Sequence, residues 1–213
     1  MQKENIETFL GYGKELDSDA VLYILVGQII VAAVGMACSY NRIRATFLLL
    51  PFLLTSIILY IVFRRKVYGI KRKQTRLKYV NLYFGILGLL TSLTSQCASL
   101  MCIKVTGLTL AITICILLLS NGLVALGMSM YVYRIVNSKK RLPAKTTVSM
   151  GIIAACGLLG TFLGEQVPEE SKNLVICIAL AILSLIFSVF ICFIQKYYYF
   201  TLLEKQEEGE KDF

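Results

Sequence analysis

One stretch decides how this chain folds: residues 81–106, NLYFGILGLLTSLTSQCASLMCIKVT. Small and polar residues recur in it every third or fourth position, and we call this set the polar stripe: Asn81, Gly85, Gly88, Ser92, Ser95, Ser99, Cys102 and Thr106. That spacing returns to one side of an α-helix, while large apolar side chains cover the rest of the circumference. The pattern is typical of a helix that is surrounded by lipid and keeps a narrow side for protein or water.

The composition agrees with a membrane protein. Hydrophobic residues make up 57% of the chain and the mean hydropathy is +0.71, whereas soluble domains are about 45–50% apolar. A membrane-spanning helix needs about 20 residues, so a chain of 213 residues has room for about six spans and no separate soluble domain.

Six apolar runs are long enough to cross a bilayer: residues 20–39, 45–63, 79–101, 107–133, 148–164 and 173–195. Unpaired strands cannot satisfy their backbone groups in lipid. The sequence therefore predicts an all-α, polytopic bundle of six transmembrane helices. We expect residues 1–19 to form a cytoplasmic segment, residues 20–196 the transmembrane domain and residues 197–213 a cytoplasmic tail.

The distribution of Lys and Arg predicts the orientation. Eight basic residues lie between the second and third runs: Arg64, Arg65, Lys66, Lys71, Arg72, Lys73, Arg76 and Lys78. With the loop at 134–145 and both ends of the chain, 18 of the 22 basic residues fall on one side of the membrane. Basic loops remain in the cytoplasm, so we expect both termini to be cytoplasmic in a multi-pass protein of the cell membrane.

The net charge of +9 does not indicate nucleic-acid binding. The eight residues of the 64–78 loop are explained by membrane topology or by contact with anionic lipid headgroups. The expected partners are thus the lipid bilayer and either another membrane protein or a second copy of this chain.

The residue types exclude several chemistries. The chain has no His, and no Asp or Glu occurs between residues 20 and 164. Proton-coupled carriers, metal sites and membrane hydrolases need such groups, so we expect no enzymatic activity, no metal and no cofactor. The seven Cys form no CxxC pair, and most suit apolar packing. A disulfide among Cys38, Cys97 and Cys102 stays open at this stage.

Polar residues within the runs are the candidates for a site. Unpaired side-chain amides are costly in hydrocarbon, so Gln28, Gln96 and Asn121 must find partners. The full candidate set is Gln28, Ser92, Ser95, Gln96, Ser99 and Asn121. Two interpretations remain: these groups bond between helices, or they line a cavity for an uncharged or anionic solute.

The fourth run repeats the small-residue pattern with Ala111, Cys115, Gly122, Ala125 and Ser129. Only a few residues separate it from the third run. The sequence therefore predicts an antiparallel hairpin in which the two small-residue sides face each other.

Two functions follow from these observations. The first is a small solute transporter, or the solute-binding membrane subunit of one. Six spans and the AxxxA element at Ala33-Val-Gly-Met-Ala37 are superficially similar to vitamin-binding subunits of energy-coupling-factor transporters, although the short first external loop departs from them, and the chain is not assigned to that family. The alternative is an accessory, immunity or signalling-type subunit that acts through helix–helix contacts and transports nothing.

Overall fold

The computed structural model describes residues 2–11, 18–104, 107–138 and 171–209. Within these ranges it contains seven helices and no strand: α1 (Gln2–Gly11), α2 (Ser18–Ala37), α3 (Arg42–Tyr68), α4 (Lys73–Met101), α5 (Gly107–Val136), α6 (Lys172–Ser188) and α7 (Ile191–Gly209). The predicted all-α membrane bundle is confirmed.

Five described stretches are long and apolar enough to cross a membrane: α2, α3, α4, α5 and the combined α6–α7 stretch Lys172–Lys205. They match five of the six predicted runs. The remaining run, residues 148–164, lies outside the described residues. We call the end of the bundle that carries the 64–78 loop the basic end.

α4 is the central helix. It packs against α2 and α3 on one side and against α6 and α7 on the other. In the most apolar segment of α4, 67% of the residues are buried. The corresponding share is 6–33% in the other four spans. The small residues of α4 explain this position, because they let neighbouring helices approach from several directions.

α2, α3 and α4 form a three-helix unit with two apolar clusters. The cluster nearer the basic end contains Val21, Phe63, Val67, Val80, Tyr83 and Leu87. The cluster nearer the opposite end contains Val31, Ala32, Leu49, Ala98, Cys102 and the α6 residue Leu180. A polar level lies between the two clusters, where Gln28 of α2 is hydrogen-bonded to Thr94 of α4.

The sixth predicted run is interrupted in the structure. α6 ends at Ser188 and α7 begins at Ile191. Around this point the backbone makes tighter bonds to the third preceding residue, from Val189 N to Ile186 O at 3.2 Å and from Phe190 N to Phe187 O at 3.1 Å. Such tightening marks a local change in helix geometry. It occurs where Phe190 lies against Gly88 of α4.

α5 packs against α6, α7 and α1. The close approach of α5 to α4 that the sequence predicted is not found, because α4 and α5 each pack instead on α6. A Cβ atom at Gly122 would meet no described atom within 4 Å. The hairpin prediction is therefore wrong in its packing: the small-residue side of α5 does not face α4.

The N-terminal segment contributes the short amphipathic helix α1. Ile6, Phe9 and Leu10 are buried against Val132 and Val136 of α5 and Tyr199 of α7. The Asn5 Nδ2 donates a 2.9 Å hydrogen bond to the carbonyl of Ser138, just past the end of α5. α1 and the last part of α7 thus lie at the same end of the bundle. α7 remains helical to Gly209, beyond the expected domain boundary at residue 196.

The six described cysteines are free thiols: Cys38, Cys97, Cys102, Cys115, Cys177 and Cys192. Four of them, Cys38, Cys97, Cys102 and Cys177, belong to the apolar cluster at the end opposite the basic end. The disulfide that the sequence left open is not formed among these residues in the structure.

Candidate functional site: the polar interior around α4

Two serines of the polar stripe are bonded to the backbone of α6. The Ser92 hydroxyl donates to the carbonyl of Ser184 at 2.7 Å. One turn further, the Ser95 hydroxyl donates to the carbonyl of Leu180, also at 2.7 Å. Both serines are buried. Bonds this short between a side chain and another helix's backbone require close contact of the two helices.

Asn121 connects α5 to the same place. Its Oδ1 accepts a hydrogen bond from the Ser188 hydroxyl at 2.5 Å and lies 3.3 Å from the Ser92 hydroxyl. Its Nδ2 donates to the carbonyl of Leu117 at 2.9 Å and to the Ser184 hydroxyl at 3.3 Å. The carboxamide uses both its oxygen and its nitrogen, so this network is satisfied within the protein.

Side chains that follow α6 in the chain occupy the space beside the two glycines of the stripe. A Cβ atom at Gly88 would lie 2.2 Å from Cδ1 of Phe190, and one at Gly85 would lie 2.7 Å from Cγ1 of Ile194. Phe190 also packs on Phe84, with ring centroids 5.1 Å apart. From Gly85 to Ser95 the polar stripe is therefore a contact face for α6 and α7.

The ends of the stripe bond locally. Ser99 is fully buried, and its hydroxyl donates to the carbonyl of Gln96 at 2.8 Å within α4. The Asn81 Nδ2 donates to the carbonyl of Leu77 at 2.8 Å, while its Oδ1 has no partner in the described chain. Thr106 lies outside the described residues.

Gln28 lies on the other side of α4. Its Nε2 donates a 2.8 Å hydrogen bond to the Thr94 hydroxyl, and the side chain has no exposed surface. Its Oε1 finds no hydrogen-bond partner within the described ranges. The structure thus brings Ser92, Ser95 and Asn121 together and places Gln28 in the α2–α3–α4 unit.

Gln96 is the third predicted amide, and its side-chain oxygen and nitrogen are not among the fully enclosed unpaired atoms. It is 4% exposed. Its side chain makes no hydrogen bond to any residue of 2–11, 18–104, 107–138 or 171–209. The requirement for a partner, which the sequence predicted, is met fully for Asn121 and partly for Gln28.

The basic residues divide into two groups. Seven of the eight are exposed at the α3–α4 corner: Arg64, Arg65, Lys66, Lys71, Arg72, Lys73 and Arg76. Lys78 is buried instead, and its Nζ forms an ion pair with Glu204 of α7 at 2.5 Å. Lys66 lies 4.3 Å above the ring of Tyr79. Lys78 therefore joins two helices. Among the exposed residues, Arg76 donates a 2.9 Å hydrogen bond to the Ser18 hydroxyl at the start of α2.

Some important residues were not singled out in the sequence. Ser56 is fully buried in α3, and its hydroxyl has no hydrogen-bond partner among the described residues. The signal that could have found it is its spacing of seven residues from Leu49 and from Phe63. Glu204 was assigned to the tail, and no sequence spacing predicts its pairing with Lys78.

The chemistry available to these groups is limited. In the described part of the chain, no three His, Cys, Asp or Glu residues are grouped so that they could hold a metal ion. The polar stripe, Gln28 and Asn121 offer hydroxyls, amides and backbone carbonyls, which bind neutral hydrogen-bonding groups. No family model, no curated protein and no solved structure matches this chain. Any function must therefore be argued from the geometry of the bundle.

Proposed function

We propose that this chain is a non-catalytic membrane subunit that acts through helix–helix contacts within the bilayer, with α5 as its contact helix. One observation carries the proposal: only 6% of the residues in the most apolar segment of α5 are buried. α5 is nevertheless the longest described helix, at 30 residues. Among the helices that the structure describes, α5 packs mainly against α6, α7 and α1.

The surface of α5 has the features of a helix-packing face. Leu119, Leu123 and Leu126 are 66%, 68% and 62% exposed. Gly122 and Gly127 lie among them, and a Cβ atom at either glycine would meet no described atom within 4 Å. Small residues beside large apolar ones allow the backbones of two membrane helices to approach closely. The partner is thus an apolar transmembrane helix, of another protein or of a second copy.

The closed polar stripe supports this choice over transport. Ser92 and Ser95 are bonded to α6 carbonyls, and Gly88 is covered by Phe190. A solute path along this face would have to separate α4 from α6 and break those bonds. In this account the exposed basic residues of the 64–78 loop contact anionic headgroups and hold the basic end at the membrane surface.

A solute transporter, or its solute-binding subunit, is the second candidate, and Gln96 is the observation that favours it. This amide is almost fully buried and unbonded among the described residues. An uncharged or anionic solute with a hydrogen-bonding group would satisfy it. Gln96→Leu should then abolish solute uptake without lowering the amount of protein in the membrane.

Site-specific photo-cross-linking tests the main proposal. A photoreactive amino acid is placed at Leu119 on α5 and, as a matched control, at Leu54 on α3, which is 50% exposed. After illumination in native membranes, the Leu119 variant should give one discrete cross-linked protein of higher mass, and the Leu54 variant should give only lipid adducts. Adducts confined to the same chain, or to lipid at both positions, would contradict a contact role for α5.

A further inference from the structure

α2 and α3 are matched in a regular antiparallel register. Fully buried or nearly fully buried residues recur every seven positions on both helices: Val21, Gln28 and Gly35 on α2, and Leu49, Ser56 and Phe63 on α3. A Cβ atom at Gly35 would lie 3.3 Å from Cδ1 of Leu49, and Val21 and Phe63 belong to one cluster at the other end. Seven residues is about two helical turns, and the two ends of one series lie beside the two ends of the other. The middle residues, Gln28 and Ser56, are therefore at the same level.

α4 supplies hydroxyls at the same level. Thr94 accepts the 2.8 Å hydrogen bond from the Gln28 amide. Thr91 is also fully buried, and it lies seven residues before Ala98, the α4 residue that contacts Gly35. Both threonines donate their hydroxyl hydrogens to their own helix, to Leu87 O and Leu90 O at 2.8 Å. They therefore present lone pairs to their surroundings.

Two oxygens at this level have no partner among the described residues: Gln28 Oε1 and Ser56 Oγ. Both side chains have 0% exposed surface. The contrast with Ser184 is informative, because the Ser184 hydroxyl donates to the carbonyl of Ala181 in its own helix at 2.7 Å and the Ser56 hydroxyl has no partner among the described residues. An unsatisfied polar group in an apolar interior is unfavourable, so two such groups at one level call for a ligand.

We propose that the level formed by Gln28, Ser56 and Thr91 binds one water molecule between α2, α3 and α4. The water donates one hydrogen bond to Gln28 Oε1 and accepts a second from the Ser56 hydroxyl. The Thr91 oxygen can accept a third. Buried waters in proteins make about three such bonds to groups that would otherwise be unsatisfied.

A cation is a poorer occupant of the same level. Residues 20–164 contain no Asp or Glu to balance a positive charge, and apolar clusters lie above and below the level. An unbalanced charge at mid-depth in a membrane is expensive. A neutral molecule the size of water avoids that cost.

Asn121 provides a matched control in the same protein. It is a side-chain amide within the membrane, and its oxygen and nitrogen are both bonded to groups of α5 and α6. The two amides thus differ at the oxygen: Asn121 Oδ1 is bonded to protein, whereas Gln28 Oε1 has no partner among the described residues.

The test is water-to-protein magnetisation transfer by solid-state NMR on the full chain in proteoliposomes, with ¹⁵N-labelled Gln and Asn side chains. The peaks are assigned by loss in Gln28→Leu and Asn121→Leu. In the unaltered protein we expect a water cross peak at Gln28 and none at Asn121. Ser56→Ala should weaken or abolish the Gln28 cross peak, with protein abundance checked by immunoblot.

Three results would overturn the proposal. The first is the absence of a water cross peak at Gln28 in the unaltered protein, which needs no variant to fold. The second is an equal cross peak at Asn121, since the interior would then be generally hydrated. The third is a Gln28 signal that moves when Na⁺ is replaced by K⁺, because that would identify a bound cation.

Discussion

The Ser95 hydroxyl donates a 2.7 Å hydrogen bond to the carbonyl of Leu180 on the neighbouring helix α6. Ser92 makes the equivalent bond to Ser184 one turn closer to the basic end. In the sequence, these serines could line a path for a solute. In the structure, the two bonds make them part of a contact between helices.

Gly88→Ala should destabilise the bundle, because the new Cβ would lie 2.2 Å from Cδ1 of Phe190 and 2.7 Å from its Cβ. Overpacking of this kind costs about 1–3 kcal/mol. The loss is measured as a lower midpoint of thermal unfolding in detergent. Gly122→Ala is the control, since its Cβ meets no described atom, and it should be neutral or stabilise by up to about 1 kcal/mol. Equal destabilisation at both glycines would show that Phe190 does not cover Gly88.

Asn121 and Ser188 should be energetically coupled through their 2.5 Å hydrogen bond. A double-mutant cycle with Asn121→Ala and Ser188→Ala is expected to give a coupling free energy of about 0.6 kcal/mol, the average for interhelical bonds in membranes. Reversible unfolding in mixed micelles supplies the four free energies of unfolding. Ser120→Ala, outside this network, should add to Asn121→Ala without coupling. Additive effects for Asn121 and Ser188 would contradict the network.

The Lys78–Glu204 ion pair predicts an asymmetry between its two single variants. Lys78 has a side chain that is 10% exposed, whereas Glu204 is 42% exposed. Glu204→Gln leaves a buried ammonium without its carboxylate and should cost more than Lys78→Met, which leaves a carboxylate in contact with water. Because the pair is partly screened by solvent, we expect a difference of only about 1 kcal/mol in unfolding free energy. Equal effects, unchanged in high salt, would mean that the pair contributes no charge interaction.

α1 should detach when its apolar contact is removed. Ile6 is 3% exposed against Val132, Val136 and Tyr199, and its burial contributes about 1.5–3 kcal/mol. Ile6→Ser should therefore increase hydrogen–deuterium exchange in residues 2–11 while α4 stays protected. Glu7→Gln, at an exposed position of the same helix, should leave exchange unchanged. If exchange in α1 is already complete in the unaltered protein, the helix is not docked.

The sequence predicted the larger features of this fold because membranes impose simple rules. Apolar length set the spans, and the three- and four-residue spacing of small residues correctly identified one face of α4. The same pattern on α5 was misleading. Small residues indicate where a helix can pack but do not identify its neighbour, so Gly122 was paired with α4 although the structure leaves it uncovered by any described residue.

Other features depend on three-dimensional register and could not be read from a single sequence. The break after Ser188 occurs where Phe190 crosses Gly88, and no Pro or Gly marks it in the sequence. Ser56 looked like one more hydroxyl in an apolar run. Its importance becomes visible only when Leu49 and Gly35 fix the register that sets it level with Gln28.

Accessibility of the α4–α6 contact to water tests the central claim most directly. Ser92→Cys and Ser95→Cys are made in a chain whose other cysteines are replaced by Ala, and intact membranes are treated with a water-soluble maleimide. Tyr68→Cys, at a position that is 92% exposed, serves as the positive control. We expect labelling at residue 68 and none at residues 92 and 95 until the protein is denatured. Rapid labelling at both serine positions in intact membranes would show a hydrated path along α4 and would contradict the packed interface described here.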